Sequence, residues 1–250
     1  MTLPAPPLPT PDAALFLDLD GSLLEFAELP SLVVVPASLR EILIDLHAAL
    51  DGAVAVLSGR PLAQIDALLD MPGLTAVGIH GSEWRNANTA QDDTPALRER
   101  HLDEVRTHAD AAASRIPGLW VEDKGSALAL HFRQCASAAD DVENVARELL
   151  RIAGSGFLLQ HGNHVVELKP AGADKGVALD RLMQAVPFSG RIPWMMGDDL
   201  TDEPAFERAS ALNGIAVVVG SRRPTRATHA LPGPRAVHRW LDRARSQLVR

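Results

Sequence analysis

The chain has 250 residues, 46% of them apolar and 22% charged, the profile of an ordinary globular protein with room for one large domain or two modest ones. A formal charge of −8 excludes a broadly basic nucleic-acid surface, and no apolar run reaches the length of a membrane span. The single cysteine, Cys135, excludes an intrachain disulfide framework and suits a reducing compartment.

The first segment, "MTLPAPPLPTPDA", carries five prolines and lacks the basic and apolar regions of a signal peptide. Residues 1–12 are therefore expected to form a loose or extended lead-in to a cytoplasmic protein. The first buried strand is "AALFL" at 13–17, and it runs straight into Asp18 and Asp20 of "DLDGS". Acids beside a core strand cost on the order of several kcal/mol unless something neutralises them. A helix follows over 36–50, then a strand at 53–57 that ends in "SGR" (58–60), a helix over 62–70 and a strand at 74–79 that enters "GIHGSEW". Short buried strands alternating with amphipathic helices predict a parallel sheet covered on both faces.

Beyond residue 86 the pattern changes. A polar helix over about 95–116 precedes "LWVEDK" (119–124) and "ALALHFRQ" (127–134), joined by a Gly-Ser turn. A second helix at about 138–153 precedes "GFLLQ" (156–160) and "HVVELKP" (164–170). Helix, hairpin, helix, hairpin predicts an antiparallel four-stranded sheet with helices on one face, inserted over 86–171 between core segments 13–85 and 172–250. In "ALALHFR" the apolar residues alternate with His131 and Arg133, and Glu122 and Lys124 share a face of the preceding strand, so a charged face is expected opposite the helices. The core pattern resumes with a helix over 174–186 and strands at 192–196 and 214–219, the first of these running into "GDDLTDE" at 197–203.

Ligands of open α/β sheets bind at the carboxyl ends of the strands. Asp18, Asp20, Asp198, Asp199 and Asp202 place too much negative charge at such an end for a dry site, and their hard oxygen donors select Mg2+ or Ca2+. Ser58, with the amides of Gly59 and Arg60 at the opening of a helix that it also suits as N-cap, can cradle phosphate oxygens, and Lys175 can supply positive charge from the far side. In that setting Asp18 is placed as nucleophile and Asp20 as general acid and then base.

"DLDGS", "SGR", "ADKG" and "GDDLTDE", in that order, resemble the four motifs of the haloacid-dehalogenase-like phosphatases. "GIHGSEW", "VEDKGSALALHFR" and "VVELKP" narrow the resemblance to the trehalose-6-phosphate phosphatases. It implies a Rossmann-like parallel-sheet core with an inserted α+β cap, and hydrolysis of trehalose 6-phosphate to trehalose and phosphate through an aspartyl-phosphate. It further implies Mg2+ held by Asp18, the carbonyl of Asp20 and Asp198, with Asp199 and Asp202 supporting that site. Phosphate is expected on Ser58 and Lys175, and the sugar on Glu122, Lys124, Arg133 and Glu167 of the cap. Ser22 and Phe132 depart from the commoner threonine and tyrosine. The implied partner is a small sugar phosphate, with neither nucleic acid nor membrane, for a monomer or a dimer.

Blander readings stand beside these. Asp-x-Asp-Gly can be a plain turn, Lys175 a solvated helix-start lysine, and Arg60 a surface residue. His80 and Glu83 either hold the junction between core and cap or contact substrate, and Gly81 is expected to contact substrate. "HGNH" at 161–164 reads as a hairpin tip rather than a metal site, Cys135 as inert, and the arginines from Arg222 to Arg250 as a solvated helix face. Another sugar phosphate on the same fold, or a sugar-phosphate sensor without turnover, are the competing functions; the paired Asp18 and Asp20 weigh against the sensor.

Overall fold

The computed structural model describes residues 3–25, 33–85, 96–162 and 164–249, with the backbone alone for 96–101. It divides into two compact units, Met1–Asp92 with Asp174–Arg250, and Asp93–Ala173. The expected boundary near 86 lies outside the described residues.

In the first unit, β1 (Ala13–Leu17) is followed by α1 (Ala37–Ala49), β2 (Val54–Leu57), α2 (Leu62–Leu69), β3 (Thr75–Gly78) and β4 (Glu83–Arg85). The second unit holds α3 (Ala96–Arg115), β5 (Trp120–Asp123), β6 (Leu128–His131), α4 (Ala139–Ala153), β7 (Phe157–Gly162) and β8 (Val165–Pro170). The chain returns to the first unit with α5 (Lys175–Met183), β9 (Ile192–Gly197), α6 (Glu203–Ala211), β10 (Ile215–Val219), β11 (His229–Leu231) and α7 (Pro234–Leu248).

The first unit is a seven-stranded sheet in the order β11-β10-β9-β1-β2-β3-β4, parallel except where β4 runs antiparallel to β3. Every residue of β1 and β2 is buried, which requires cover on both faces and explains why these segments read as continuous apolar runs. Two helical pairs, α1 with α7 and α5 with α6, pack together within this unit. On α7 the buried residues Val237, Trp240, Leu241 and Ala244 recur at helical spacing, while Arg235 and Arg239 lie off that stripe. Because β1 pairs with β2 on one side and β9 on the other, the chain leaves it in both directions, and the carboxyl ends of all three strands lie side by side.

The second unit is a four-stranded antiparallel sheet in the order β5-β6-β8-β7, with α3 and α4 against it. Its core joins Leu128, Leu130, Val166 and Leu168 of the sheet to Val142, Ala146 and Leu149 of α4 and to Leu102 and Val105 of α3. Asp140 and Asp141 in the first turn of α4 favour the positive end of its dipole.

Three expectations are adjusted. The strand expected over 127–134 ends at His131: Phe132 turns out of extended geometry (φ −128°, ψ 23°) and Arg133 opens a short 3-10 segment, so His131 and Arg133 do not alternate on one strand. The hairpin tip expected at "HGNH" is in place, shorter than expected: β7 runs through His161, which bonds Glu143, to Gly162, opposite Val165 of β8, and Asn163 lies outside the described residues. The proline-rich lead-in is extended but not loose. Its carbonyls accept hydrogen bonds from the Ala230 amide (Pro4), the Trp240 indole (Pro7) and Gln247 (Pro9), and Leu3 and Leu8 pack on the core. Proline leaves the carbonyl free to accept while giving up only the donor, so such a segment can strap onto a surface without joining a sheet. No helix among the described residues is long and apolar enough to cross a membrane.

Deleting residues 1–9 strands the buried Trp240 indole N–H, a loss of about 1–3 kcal/mol. The expected outcome is a drop of several degrees in the thermal midpoint, at about 2–4 °C per kcal/mol for a chain of this size; an unchanged midpoint would show that the strap holds nothing.

Candidate active site

Asp18 leaves β1 with its amide donating to Met196 O of β9 at 2.9 Å, so the ladder carries one residue past the strand and aims the carboxyl group at the strand ends. Lys175, the first residue of α5, reaches the same place. The side chain of Asp174 caps that helix by accepting from the Val177 amide at 2.8 Å. The Lys175 Nζ donates to Asp18 Oδ1 at 2.6 Å and to Asp202 Oδ1 at 2.7 Å, and all three side chains are buried.

Asp198 completes the cluster: carboxylate oxygens of Asp18, Asp198 and Asp202 lie within 4.8 Å of one another. Fully ionised, three carboxylates against one ammonium would leave two negative charges, with Asp18 and Asp202 buried and Asp198 partly so. Burial pushes the Asp198 carboxyl up to about 7, with the charge of Asp202 adding to it. Burial likewise raises Asp18, against the pull of Lys175. Burial alone would discharge Lys175, but Asp18 and Asp202 hold its ammonium well above the ordinary lysine value. Gly21 (φ +84°) closes the site from the side of β1: a Cβ there would stand 2.4 Å from Asp198 Oδ2. An all-oxygen donor set with two uncompensated charges fits a hard divalent cation.

The five acids of the sequence separate into distinct positions. Asp202 stands with Asp18 and Asp198, its other oxygen accepting the Asp199 amide at 2.9 Å. Asp199 is exposed and shares a reciprocal capping box with Asp202. The Asp20 carboxylate is turned to Arg60, which grips it with two parallel hydrogen bonds, Nε to Oδ2 at 2.6 Å and Nη2 to Oδ1 at 2.7 Å. Arg60 is thus no free surface residue.

Ser58 sits at the carboxyl end of β2, buried, its amide bonded to Val77 O. It is not a helix cap. Helix α2 begins only at Leu62, and the Leu62 amide is taken by Glu83 Oε2 of β4 at 2.7 Å, while Ser58 Oγ accepts the Arg60 amide at 3.1 Å. Glu83 therefore caps α2 across the sheet edge, and its burial raises its carboxyl group. His80 follows β3 in the left-handed region (φ 53°), directly after Ile79 (φ 45°), a costly conformation for a β-branched residue. The bend lays the His80 ring over Gly59, where a Cβ would meet the ring at 2.6 Å. A Cβ on Gly81 would stand 3.0 Å from the backbone oxygen of Asp174. Ser58, Gly59, His80 and Lys175 are thus assembled in one unit from two strand ends and a helix start.

In the second unit, Glu122, Ala129 and Glu167 share one rung of the sheet. Lys124 Nζ donates to Glu167 Oε2 at 3.2 Å, and Glu122 Oε2 lies 3.0 Å from His131 Nε2. His131 in turn stacks on the half-exposed Trp120, with ring centroids 4.5 Å apart. Arg133, exposed and off the strand, does not share that rung. Trp120 was not singled out in the sequence, although its place two residues before Glu122 puts it on the same face.

Sequence reasoning also missed Arg222 and Glu203. Arg222 donates Nε to Asp198 O at 3.0 Å and pairs through Nη2 with Glu203, so it is not part of a solvated helix face. The only local signal is Glu203 itself, the last residue of "GDDLTDE".

A parallel sheet whose central strand ends in two alternate aspartates, beside a serine, a lysine and an acidic loop on its neighbours, defines a phosphatase of the haloacid-dehalogenase type. Residues 16–235 match the trehalose-phosphatase family model. The chain is 37% identical over 229 residues to the trehalose-6-phosphate phosphatase of Escherichia coli, covering 92% of this chain and 85% of that protein. It is 36% identical to a probable trehalose-phosphate phosphatase of Sinorhizobium fredii, covering 87% and 81%. In fold it is similar to the C-terminal domain of trehalose-6-phosphate phosphatase from Candida albicans, with a TM-score of 0.79 at 20% identity over 94% of this chain and 93% of that one. A haloalkanoate-superfamily phosphatase of Bacteroides thetaiotaomicron matches at a TM-score of 0.58 and 18% identity, covering 94% of each chain. The chain belongs to the trehalose-phosphatase family.

Excess Mg2+ is expected to raise the thermal midpoint by several degrees, since a ligand at a hundred times its Kd stabilises the folded state by about 2.7 kcal/mol. Gly21→Ala, whose Cβ would displace Asp198, should lose that rise. A wild-type midpoint indifferent to the cation would dispose of the cation site.

Proposed function

We propose that the protein is an Mg2+-dependent phosphomonoesterase that converts trehalose 6-phosphate to trehalose and inorganic phosphate. The observation that carries this reading is the convergence of Asp18, Asp198, Asp202 and Lys175 at the end of β1, in a chain 37% identical to a trehalose-6-phosphate phosphatase. Asp18 and Asp198, with the Asp20 carbonyl as the third ligand that the family resemblance implies, would hold the cation, Asp202 and Asp199 supporting them. Bound there, the cation offsets negative charge on the phosphoryl group and on the attacking carboxylate.

Asp18 attacks phosphorus and becomes the aspartyl-phosphate, while the phosphorus–oxygen bond to the sugar breaks. Asp20 gives its proton to the departing sugar oxygen, then takes one from the water that hydrolyses the acyl-phosphate and frees Asp18. Lys175 keeps positive charge beside the nucleophile throughout, and Ser58 with the amides of Gly59 and Arg60 receives the phosphoryl oxygens. Arg60 holds Asp20 while no substrate is present, and His80 and Gly81 contact the sugar phosphate from the β3 side. Glu122, Lys124, Glu167 and Arg133 of the second unit, which acts as the cap, take the sugar hydroxyls. Carboxylates accept and cationic groups donate, which suits a neutral disaccharide.

Two measurements check this. Phosphate release from trehalose 6-phosphate should depend on Mg2+ and exceed release from glucose 6-phosphate and sucrose 6-phosphate; equal rates on all three would overturn the substrate. Asp18→Asn should lose activity by several orders of magnitude with its circular dichroism intact, whereas retained phosphate release would rule out the nucleophile. Binding of trehalose 6-phosphate by the wild type without any turnover would favour a sensor.

A further inference from the structure

We propose that Arg222 is a positioning residue for the cation site, holding Asp198 through its backbone with Glu203 as the anchor; the inference rests on reading Asp18, Asp198 and Asp202 as that site. Asp198 is the first residue beyond β9, at the start of a loop whose later half is held by the Asp199–Asp202 capping box. A capping box fixes the start of the following helical turn and leaves the residue before it, Asp198, to be oriented by something else. Arg222, in the segment between β10 and β11, does this from the opposite direction by donating Nε to the Asp198 carbonyl at 3.0 Å.

The guanidinium is itself held on every nitrogen. Nη1 donates to Pro224 O at 3.2 Å, and Nη2 pairs with Glu203 Oε1. The second oxygen of Glu203 accepts the Arg226 amide at 2.7 Å. One planar cation thereby joins the loop after β9, the first residue of α6 and the β10–β11 segment. A lysine could not do so, because a point charge cannot meet three acceptors in one plane.

The pair is part-buried, with the side chains of Arg222 and Glu203 21% and 16% exposed, so losing Arg222 also costs folding free energy, which thermal melts register separately. Orientation of a ligand-bearing residue is another matter: partners behind a metal ligand commonly change metal affinity by about 10–100-fold. Arg222 reaches the ligand's carbonyl rather than its carboxylate, so its loss loosens the aim of Asp198 without removing a donor atom.

The test compares the purified full chain with Arg222→Ala, Arg222→Lys and Glu203→Gln, titrating Mn2+ and following free Mn2+ by electron paramagnetic resonance. Circular dichroism and thermal melts establish folding. Arg222→Ala is expected to weaken Mn2+ binding by about tenfold or more, with Arg222→Lys and Glu203→Gln between it and the wild type. At saturating Mg2+ the KM for trehalose 6-phosphate should be unchanged. A folded Arg222→Ala with wild-type Mn2+ affinity overturns the inference, as does wild-type affinity in both milder variants should Arg222→Ala fail to fold. If the wild type itself takes up no Mn2+, the cation-site reading falls and the inference with it; if the wild type binds and the variants match it, only the positioning role falls.

Discussion

The Lys175 ammonium, buried between Asp18 and Asp202, is the contact on which the first unit is arranged. Desolvating such charges costs several kcal/mol per ion by rough account, and one ammonium repays two carboxylates only if all of them are held at hydrogen-bond distance. Each participant is therefore fixed by a separate piece of secondary structure. The ladder between β1 and β9 aims Asp18, the capped start of α5 presents Lys175, and the capping box after β9 turns Asp202 inward. The third carboxylate, Asp198, is left over. Burial, with the charge of Asp202 added, pushes its carboxyl up to about 7, and the same crowding of acids makes the site receptive to a cation.

The groups around this cluster obey a related constraint, that backbone and ligand-bearing side chains must approach more closely than side chains normally allow. Gly21 admits Asp198 and Gly59 admits the His80 ring. The left-handed pair Ile79–His80 spends conformational energy to bring that ring back over the end of β2. Strain of this kind lasts only where the surroundings leave no alternative. Here the His80 amide bonds to Ser58 O, and the Ile79 amide to Arg60 O. The same loop that strains His80 thus pins the segment carrying Ser58 and Arg60.

What could be read in the sequence follows from range. Strands β1 and β2 were legible because full burial leaves an unbroken apolar run, and the acidic motifs because they occupy a few consecutive residues. The cap reading of Ser58, one of two that its position suggests, fails because the helix starts four residues later and its first amide is taken by Glu83 from another strand. The end of β6 was missed because alternation in "HFR" persists in sequence where the backbone has already turned. Arg222 was invisible as a site residue because its partner Asp198 lies 24 positions away across a strand, with no periodicity linking them. The lead-in was undervalued for a similar reason: composition reveals prolines but not that distant side chains would use their carbonyls.

The second unit solves a different problem, and its pairing pattern says which. Glu122 meets His131 and Lys124 pairs with Glu167, so its polar face sets donors against acceptors in adjacent pairs. The strand ends of the first unit, by contrast, set three carboxylates around the single ammonium of Lys175. Paired donors and acceptors suit hydroxyl groups, each of which can give one hydrogen bond and accept others without a net change of charge. Trp120, stacked on His131 beside the same rung, adds an apolar surface that such a hydroxylated ring also presents on one of its faces. The two units thus differ in electrostatic character: the strand ends of the first hold an excess of carboxylates, while the polar face of the second sets donors against acceptors.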